Sequence, residues 1–159
     1  MINIIVYTDG SCIKNNKKSI AGYGIYFPNK EFKNVSKPFV HKPITNQRAE
    51  LYAIYKALKI ITQNDIQFDN IYVYTDSMYS IDSITKWIKG WKKNGWITAN
   101  KEKVKNRDII KAIDKIMISY ENKIKFFHVK SHTGKQDEKS LGNQYADELA
   151  IKGSLMNKT

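Results

Sequence analysis

Two apolar runs end in the same four residues. Residues 2–9, "INIIVYTD", and 70–76, "NIYVYTD", both close on "VYTD". Each run is dense in β-branched and aromatic residues, which predicts strands over 2–9 and 70–75. Their flanks differ, and nothing recurs at a fixed period, so they are not copies of a repeat unit. The second run is apolar on both sides, as a central parallel strand should be. Between them, "GSCIKNNKKS" reads as a turn, and "AGYGIYFP" and "KEFKNVSKPF" read as strands that close an antiparallel meander with the first. "HKPITNQRAE" leads into a helix with Thr45 as N-cap. Ala49, Ala53, Ile54, Ala57, Leu58 and Ile61 then share one helical face. Glu50 stands beside that face, pointed at the sheet.

A helix is predicted from about Met78, with Ile81, Ile84 and Ile88 on one side. Asn106 is placed to cap another, where Ile109, Ile110, Ile113, Ile116, Met117 and Tyr120 keep helical spacing. "IKFFHV" at 124–129 is the last strand. "SHTGKQDEKSLG" is a polar loop, and "NQYADELAIKG" a helix closed by Gly153, with "SLMNKT" as a frayed tail. The order is strands, helix, strand, helices, strand, helix: an α/β mixed sheet with helical crossovers. Ligands of such sheets gather beyond the carboxyl ends of parallel strands. If the two "VYTD" strands are parallel neighbours, Asp9 and Asp76 converge on one spot.

The composition leaves this picture intact and adds a partner. A chain of 159 residues, 42% hydrophobic and 26% charged, suits one globular domain. No apolar run reaches the ~20 residues of a membrane span, and no secretory signal is recognisable at the N-terminus. Cys12 is the single cysteine, which excludes an internal disulfide and fits a reducing, cytoplasmic setting, with nucleus or organelle as alternatives. The formal charge of +12 favours a polyanion. A genome rich in Lys, Asn and Ile codons would spread lysines evenly. Here Lys86, Lys89, Lys92, Lys93, Lys101, Lys103, Lys105 and Arg107 gather with Glu102 as the lone acid, interleaved with Trp87, Trp91 and Trp96. That clustering predicts a nucleic-acid face.

Paired carboxylates at a sheet end repel and raise each other's pKa unless something compensates. A divalent cation is the usual compensator, and Mg²⁺ prefers hard oxygen ligands. Glu50 and Asp147 could complete such a cluster. Taken alone, an Asp after a strand is usually a turn residue, and an Asp in a helix is usually solvated.

The local words around these acids change that weighting. "YTDGS", "TNQRAEL", "YTDSM", "GWKKNGW" and "HVKSHTG…GNQYADELA" occur in the order and approximate spacing of the type 1 ribonucleases H, from Val6 to Ala150. The resemblance implies a ribonuclease H-like fold: a five-stranded mixed sheet, antiparallel meander plus parallel strands, flanked by helices. It implies endonucleolytic cleavage of the RNA strand of RNA–DNA hybrids, leaving 5′-phosphate and 3′-hydroxyl ends, with two Mg²⁺ ions, or Mn²⁺ as an alternative. Two ions about 3.5–4 Å apart activate water and clamp the leaving oxygen. Asp9, Glu50, Asp76 and Asp147 match the family's four metal-binding acids. His132 matches a loop histidine that assists proton transfer or product release. His128, on the strand, reads as structural. Asn15, Asn46 and Gln47 match residues that read the hybrid minor groove and its 2′-hydroxyls. Thr45 and Asn106 match positions that hold a DNA-strand phosphate, and Tyr79 and Trp87 resemble the aromatic positions of the DNA channel. Trp91 and Trp96 are read either as anchors of the protrusion or as part of its binding face.

Three departures from the family pattern stand out. The segment from His132 to Asn143 is longer than the common "H-x-G-x-x-G-N". Ser131 stands where Gly is frequent. Pro43 stands where some members carry a phosphate-binding arginine, leaving Lys42 to take part. The expected organisation is a catalytic domain over 1–153 with a basic protrusion at about 86–105 and a tail over 154–159, acting as a monomer without a separate N-terminal hybrid-binding domain. The competing readings are a non-catalytic hybrid-binding module of the same fold and another sheet-based nuclease of the superfamily. The first would be expected to lose a carboxylate, and "TNQRAEL" with the basic Trp-rich segment argues against the second.

Overall fold

The computed structural model describes residues 1–15, 17–131 and 133–157, with the side chain of Asn15 outside the described set. Among the described residues, five strands and five helices follow in the order β1 (Asn3–Asn15), β2 (Lys18–Tyr26), β3 (Val35–Phe39), α1 (Asn46–Thr62), β4 (Asn70–Thr75), α2 (Met78–Asp82), α3 (Ile88–Lys93), α4 (Arg107–Ser119), β5 (Ile124–His128) and α5 (Glu138–Ser154). A π-helical turn, Ser83–Trp87, joins α2 to α3. The sheet order is β3-β2-β1-β4-β5. The meander pairs antiparallel, and β1–β4 and β4–β5 pair parallel, so the expected ribonuclease H-like mixed sheet is present.

The two "VYTD" phrases pair with each other. Val6 lies opposite Val73 and Tyr7 opposite Tyr74. Two residues further along each chain, Asp9 and Asp76 therefore leave the pairing at the same level. β4 stops there, but β1 does not. It runs on to Asn15, pairing with β2 from Gly10↔Tyr23 to Asn15↔Lys18. The predicted turn over 10–19 is thus mostly strand. Residues 11–14 are only half-buried to exposed, so this ribbon tolerates Ser and Lys, and polar composition disguised it. β3 is shorter than predicted, because the Phe27 N–H donates to Asn34 Oδ1 (2.8 Å) in the turn that precedes it.

α1 follows its pattern. Thr45 Oγ1 accepts from the Arg48 N–H (3.2 Å), and Ala49, Ala53, Ile54, Ala57, Leu58 and Ile61 are buried. They pack with Ile4, Val6, Ile25, Ile71, Val73, Ile110 and Ile113 into the main core. Full burial of each such Ile or Leu contributes roughly 1.5–3 kcal/mol. α5 lies on the other face, over β1–β3, through small residues: Gly142, Ala146, Ala150 and Gly153 are buried. Gly153 does not end this helix, which continues to Ser154. It is small because a Cβ there would strike the Lys37 backbone. The predicted frayed tail begins bonded to the body: Asn157 Nδ2 donates to the carbonyls of Ala21 and Ser154, both at 2.8 Å. The second face of β4 is only half covered, by Tyr72 and Tyr74, rather than buried as predicted. Among the described residues no helix is long and apolar enough to cross a membrane.

Candidate active site

At the level where β4 ends, Asp9, Glu50 and Asp76 each present a carboxylate oxygen, all within 4.8 Å of one another. Asp9 and Glu50 are buried and Asp76 half-buried. Register accounts for Asp9 and Asp76. Glu50 arrives because Gly10 lets α1 touch the strand. A Cβ on Gly10 would fall 2.6 Å from the Ala49 carbonyl carbon and 2.8 Å from Glu50 Cα, closer than carbon atoms approach in folded proteins. Gly24 does the same for α5, where a Cβ would sit 2.6 Å from the Ala150 nitrogen. That contact sets the height of Asp147, one turn before Ala150, which lines the same cleft as Asp9. Neither glycine was singled out from the sequence. The "TDGS" signal was present, but a close helix approach is invisible until α1 is docked.

The electrostatics are those of a site awaiting positive charge. Burial raises the Asp9 carboxyl far above its usual range, with Asp76 and Glu50 adding repulsion. Burial pushes Glu50 up to about 7, with Asp76 adding to it, while Ser77 and Asn46 oppose the rise. Glu50 Oε1 accepts from Asn46 Nδ2 at 3.3 Å, whereas Glu50 Oε2 is buried without a hydrogen-bond partner. An orphaned buried carboxylate oxygen costs about 1–3 kcal/mol or more. A hard divalent cation fits this donor set, because it satisfies that oxygen and reverses the repulsion. Asp9, Glu50, Asp76 and Asp147 line an open cleft of about 390 Å³ with Asn46, Ser131 and Cys12. Ser131 and Cys12 were not anticipated as lining residues.

The other predicted residues surround the cleft. Asn46 and Gln47 are exposed on the first turn of α1, and Thr45 caps it. Asn106 precedes α4 with φ 64°, in the left-handed region, and makes no side-chain cap bond. Its Nδ2 instead donates to Tyr79 Oη at 2.8 Å, so the expected cap is a bridge between α4 and α2. Trp87 is exposed and meets Tyr79 edge-on at 6.0 Å. Trp91 and Trp96 pack against the main core, which favours the anchoring reading for both. His128 is exposed rather than buried in the sheet, with Nε2 3.2 Å from the Asp76 carbonyl oxygen, tying the ends of β4 and β5 together. His132 and the side chain of Asn15 lie outside the described residues.

The RNase H family model matches residues 2–155. The chain belongs to the RNase H family. It is 39% identical over 150 residues to the ribonuclease H of Ruthia magnifica, covering 94% of each chain. It is 39% identical over 151 residues to the ribonuclease H of Schizosaccharomyces pombe, covering 94% of this chain and 52% of that one. The chain thus spans about half the length of several of the curated relatives it matches. Among solved structures, the solution structure of the PFV RNase H domain is similar, with a TM-score of 0.77, 32% identity, and coverage of 96% of this chain and 94% of that one. Asp9, Glu50 and Asp76 lie within 4.8 Å of one another, and Asp147 lines the same cleft.

Proposed function

We propose that this RNase H chain cleaves the RNA strand of RNA–DNA hybrids by metal-dependent phosphodiester hydrolysis, leaving 5′-phosphate and 3′-hydroxyl ends. The observation that carries the reading is the cluster of buried Asp9 and Glu50 with half-buried Asp76, and the unsatisfied Glu50 Oε2, in an open cleft. Asp9, Glu50, Asp76 and Asp147 would hold two divalent cations, Mg²⁺ or Mn²⁺. When bound, such cations supply an activated water and charge stabilisation for the leaving oxyanion.

The protein's own groups do the rest. The carboxylates hold their geometry through backbone contacts at Gly10 and Gly24 rather than through flexible loops, which keeps the site preorganised. Asn46 joins metal site to substrate reading: its amide holds Glu50 Oε1 while its position on the first turn of α1 faces the cleft. Gln47 beside it extends a polar set toward the minor groove, where 2′-hydroxyls separate RNA from DNA, and Asn15 is assigned to the same reading by its motif alone. Thr45 and Asn106 take a phosphate of the DNA strand. Tyr79 and Trp87 line the path toward the basic arm, whose lysines supply sequence-independent affinity. His132 moves a proton or speeds product release. The chain works as a monomer in a reducing, cytoplasmic compartment.

The test is incubation with labelled RNA–DNA hybrid, duplex DNA and duplex RNA in Mg²⁺. Cleavage confined to the RNA of the hybrid is expected. Binding of hybrid without cleavage would leave a non-catalytic module of the same fold.

A further inference from the structure

Arg48 lies two residues before Glu50 and is 3% exposed, the one cation buried among the described residues. Its guanidinium makes a bidentate pair with Asp108, Nη1 to Oδ1 and Nη2 to Oδ2, both at 2.8 Å. Nη2 and Nε also reach the carbonyls of Lys42 (3.4 Å) and His41 (3.5 Å). One side chain thus ties three segments: the 41–42 loop, the start of α1 and the first turn of α4. The segments it ties carry the proposed phosphate ligands. Thr45 is three residues before Arg48, and its hydroxyl oxygen is fixed by the Arg48 N–H, leaving its proton free to donate outward. Asn106 is two residues before Asp108, held in a left-handed conformation by its bond to Tyr79.

We propose that the Arg48–Asp108 pair is a positioning element for recognition of the DNA-strand phosphate, setting the separation between Thr45 on α1 and Asn106 on α4. The proposal rests on the reading of the chain as a hybrid nuclease and adds a part that touches neither metal nor substrate. A buried guanidinium must have its donors satisfied, and a planar fork satisfies them in one geometry only. Thr45 and Asn106 are 61 residues apart with no direct hydrogen bond between them among the described contacts; apolar packing holds α1 to α4, and the Arg48–Asp108 pair is the polar bridge next to both residues. Lysine would keep the charge but lose the fork.

The experiment uses Asp108→Asn, Asp108→Glu and Arg48→Lys on a panel of hybrids in which each DNA-strand phosphate in turn is a neutral methylphosphonate. For the wild type, one position should raise KM by about tenfold, the cost of one charge-assisted contact. Asp108→Asn should raise KM on the unmodified hybrid by about five- to tenfold with kcat within about threefold. It should also flatten the sensitivity at that one position to less than about twofold, because the misplaced pair no longer grips it. Asp108→Glu should recover part of both. A lower Tm with wild-type KM and an unchanged methylphosphonate profile would show the pair to be merely structural and overturn the proposal. So would a raised KM with the sensitive position intact. If Asp108→Asn does not fold, Asp108→Glu and Arg48→Lys carry the same comparison. A wild type that cleaves hybrid but has no sensitive position also overturns it, whereas a wild type that cleaves no hybrid removes the nuclease reading instead.

Discussion

The carboxylate cleft and the lysine-rich arm use charge in opposite ways. In the cleft, Asp9, Glu50 and Asp76 are crowded within 4.8 Å, mostly out of water, at a cost in repulsion and desolvation. In the arm, the cations from Lys86 to Lys105 stand in solvent, where like charges cost little. The cleft is held by backbone contacts that tolerate no extra atom. The arm is held by side chains: Trp91 and Trp96 lie on the core, Lys111 Nζ stacks over Trp96 at 5.1 Å, and Lys92 Nζ pairs with Asp114 at 2.7 Å. Lys92 is therefore committed within the protein, unlike Lys89 and Lys93. The difference teaches that crowded, buried like charges need a rigid frame, whereas cations spread out in solvent need only a few side-chain anchors.

The strongest way to break the contrast is to discharge the cleft. Asp9→Asn and Asp76→Asn should each lower cleavage by more than about 10²-fold, the scale of losing one electrostatic stabiliser, with hybrid binding unchanged or tighter. Turnover within tenfold of wild type would show the carboxylates to be dispensable. Next comes Gly10→Ala, which leaves every acid in place. The added carbon must push α1 outward, so cleavage should fall by up to about 10²-fold and stability by about 1–3 kcal/mol. Normal activity there would mean that the helix approach is not what places Glu50.

A thermodynamic prediction concerns the same strain without substrate. Glu50 is raised to about 7 in the folded protein against an ordinary 4.5. Below pH 4.5 it is protonated folded and unfolded, and contributes no pH dependence. Between pH 4.5 and 7 the unfolded chain ionises first, so metal-free stability falls as pH rises, by on the order of 3 kcal/mol in total. Glu50→Gln should flatten this slope in pH-dependent unfolding, and Mg²⁺ should raise Tm more at pH 8 than at pH 5. Equal Mg²⁺ shifts at both pH values would contradict the cation fit. The smallest effects belong to the arm. Lys89→Ala and Lys93→Ala should each reduce the log–log salt slope of hybrid binding by about one unit if each meets one phosphate. Lys92→Ala should change it less and loosen the arm instead, as read by tryptophan fluorescence. Identical slopes for all three would erase the distinction between free and latched lysines.

Much of this was legible in the chain because it is local. The periodicity of α1, its Thr45 cap, the apolar strands and the repeated "VYTD" are short-range patterns, and the carboxylates lie inside recognisable words. The hairpin arm of β1 was misread because an exposed ribbon has no apolar alternation to show. Asn106 does stand at the N-cap of α4, but the sequence could not show that its side chain bonds to a tyrosine 27 residues away instead of capping. α5 begins at Glu138, inside the polar segment expected to be loop, and runs through Gly153 to Ser154, since Gly153 answers to the Lys37 backbone and not to helix termination.

By itself the sequence determined which residues carry charge, where most of the apolar strands and helices lie, and that two acids close two like apolar runs. Only the tertiary structure decided that the two phrases pair in register, that Gly10 and Gly24 admit α1 and α5 closely enough to bring Glu50 and Asp147 to those acids, and that Arg48 reaches Asp108 across 60 residues. The physical reason is range. Propensity and periodicity act over a few residues, whereas close approach, burial of an unpaired oxygen and bidentate geometry exist only between elements already docked.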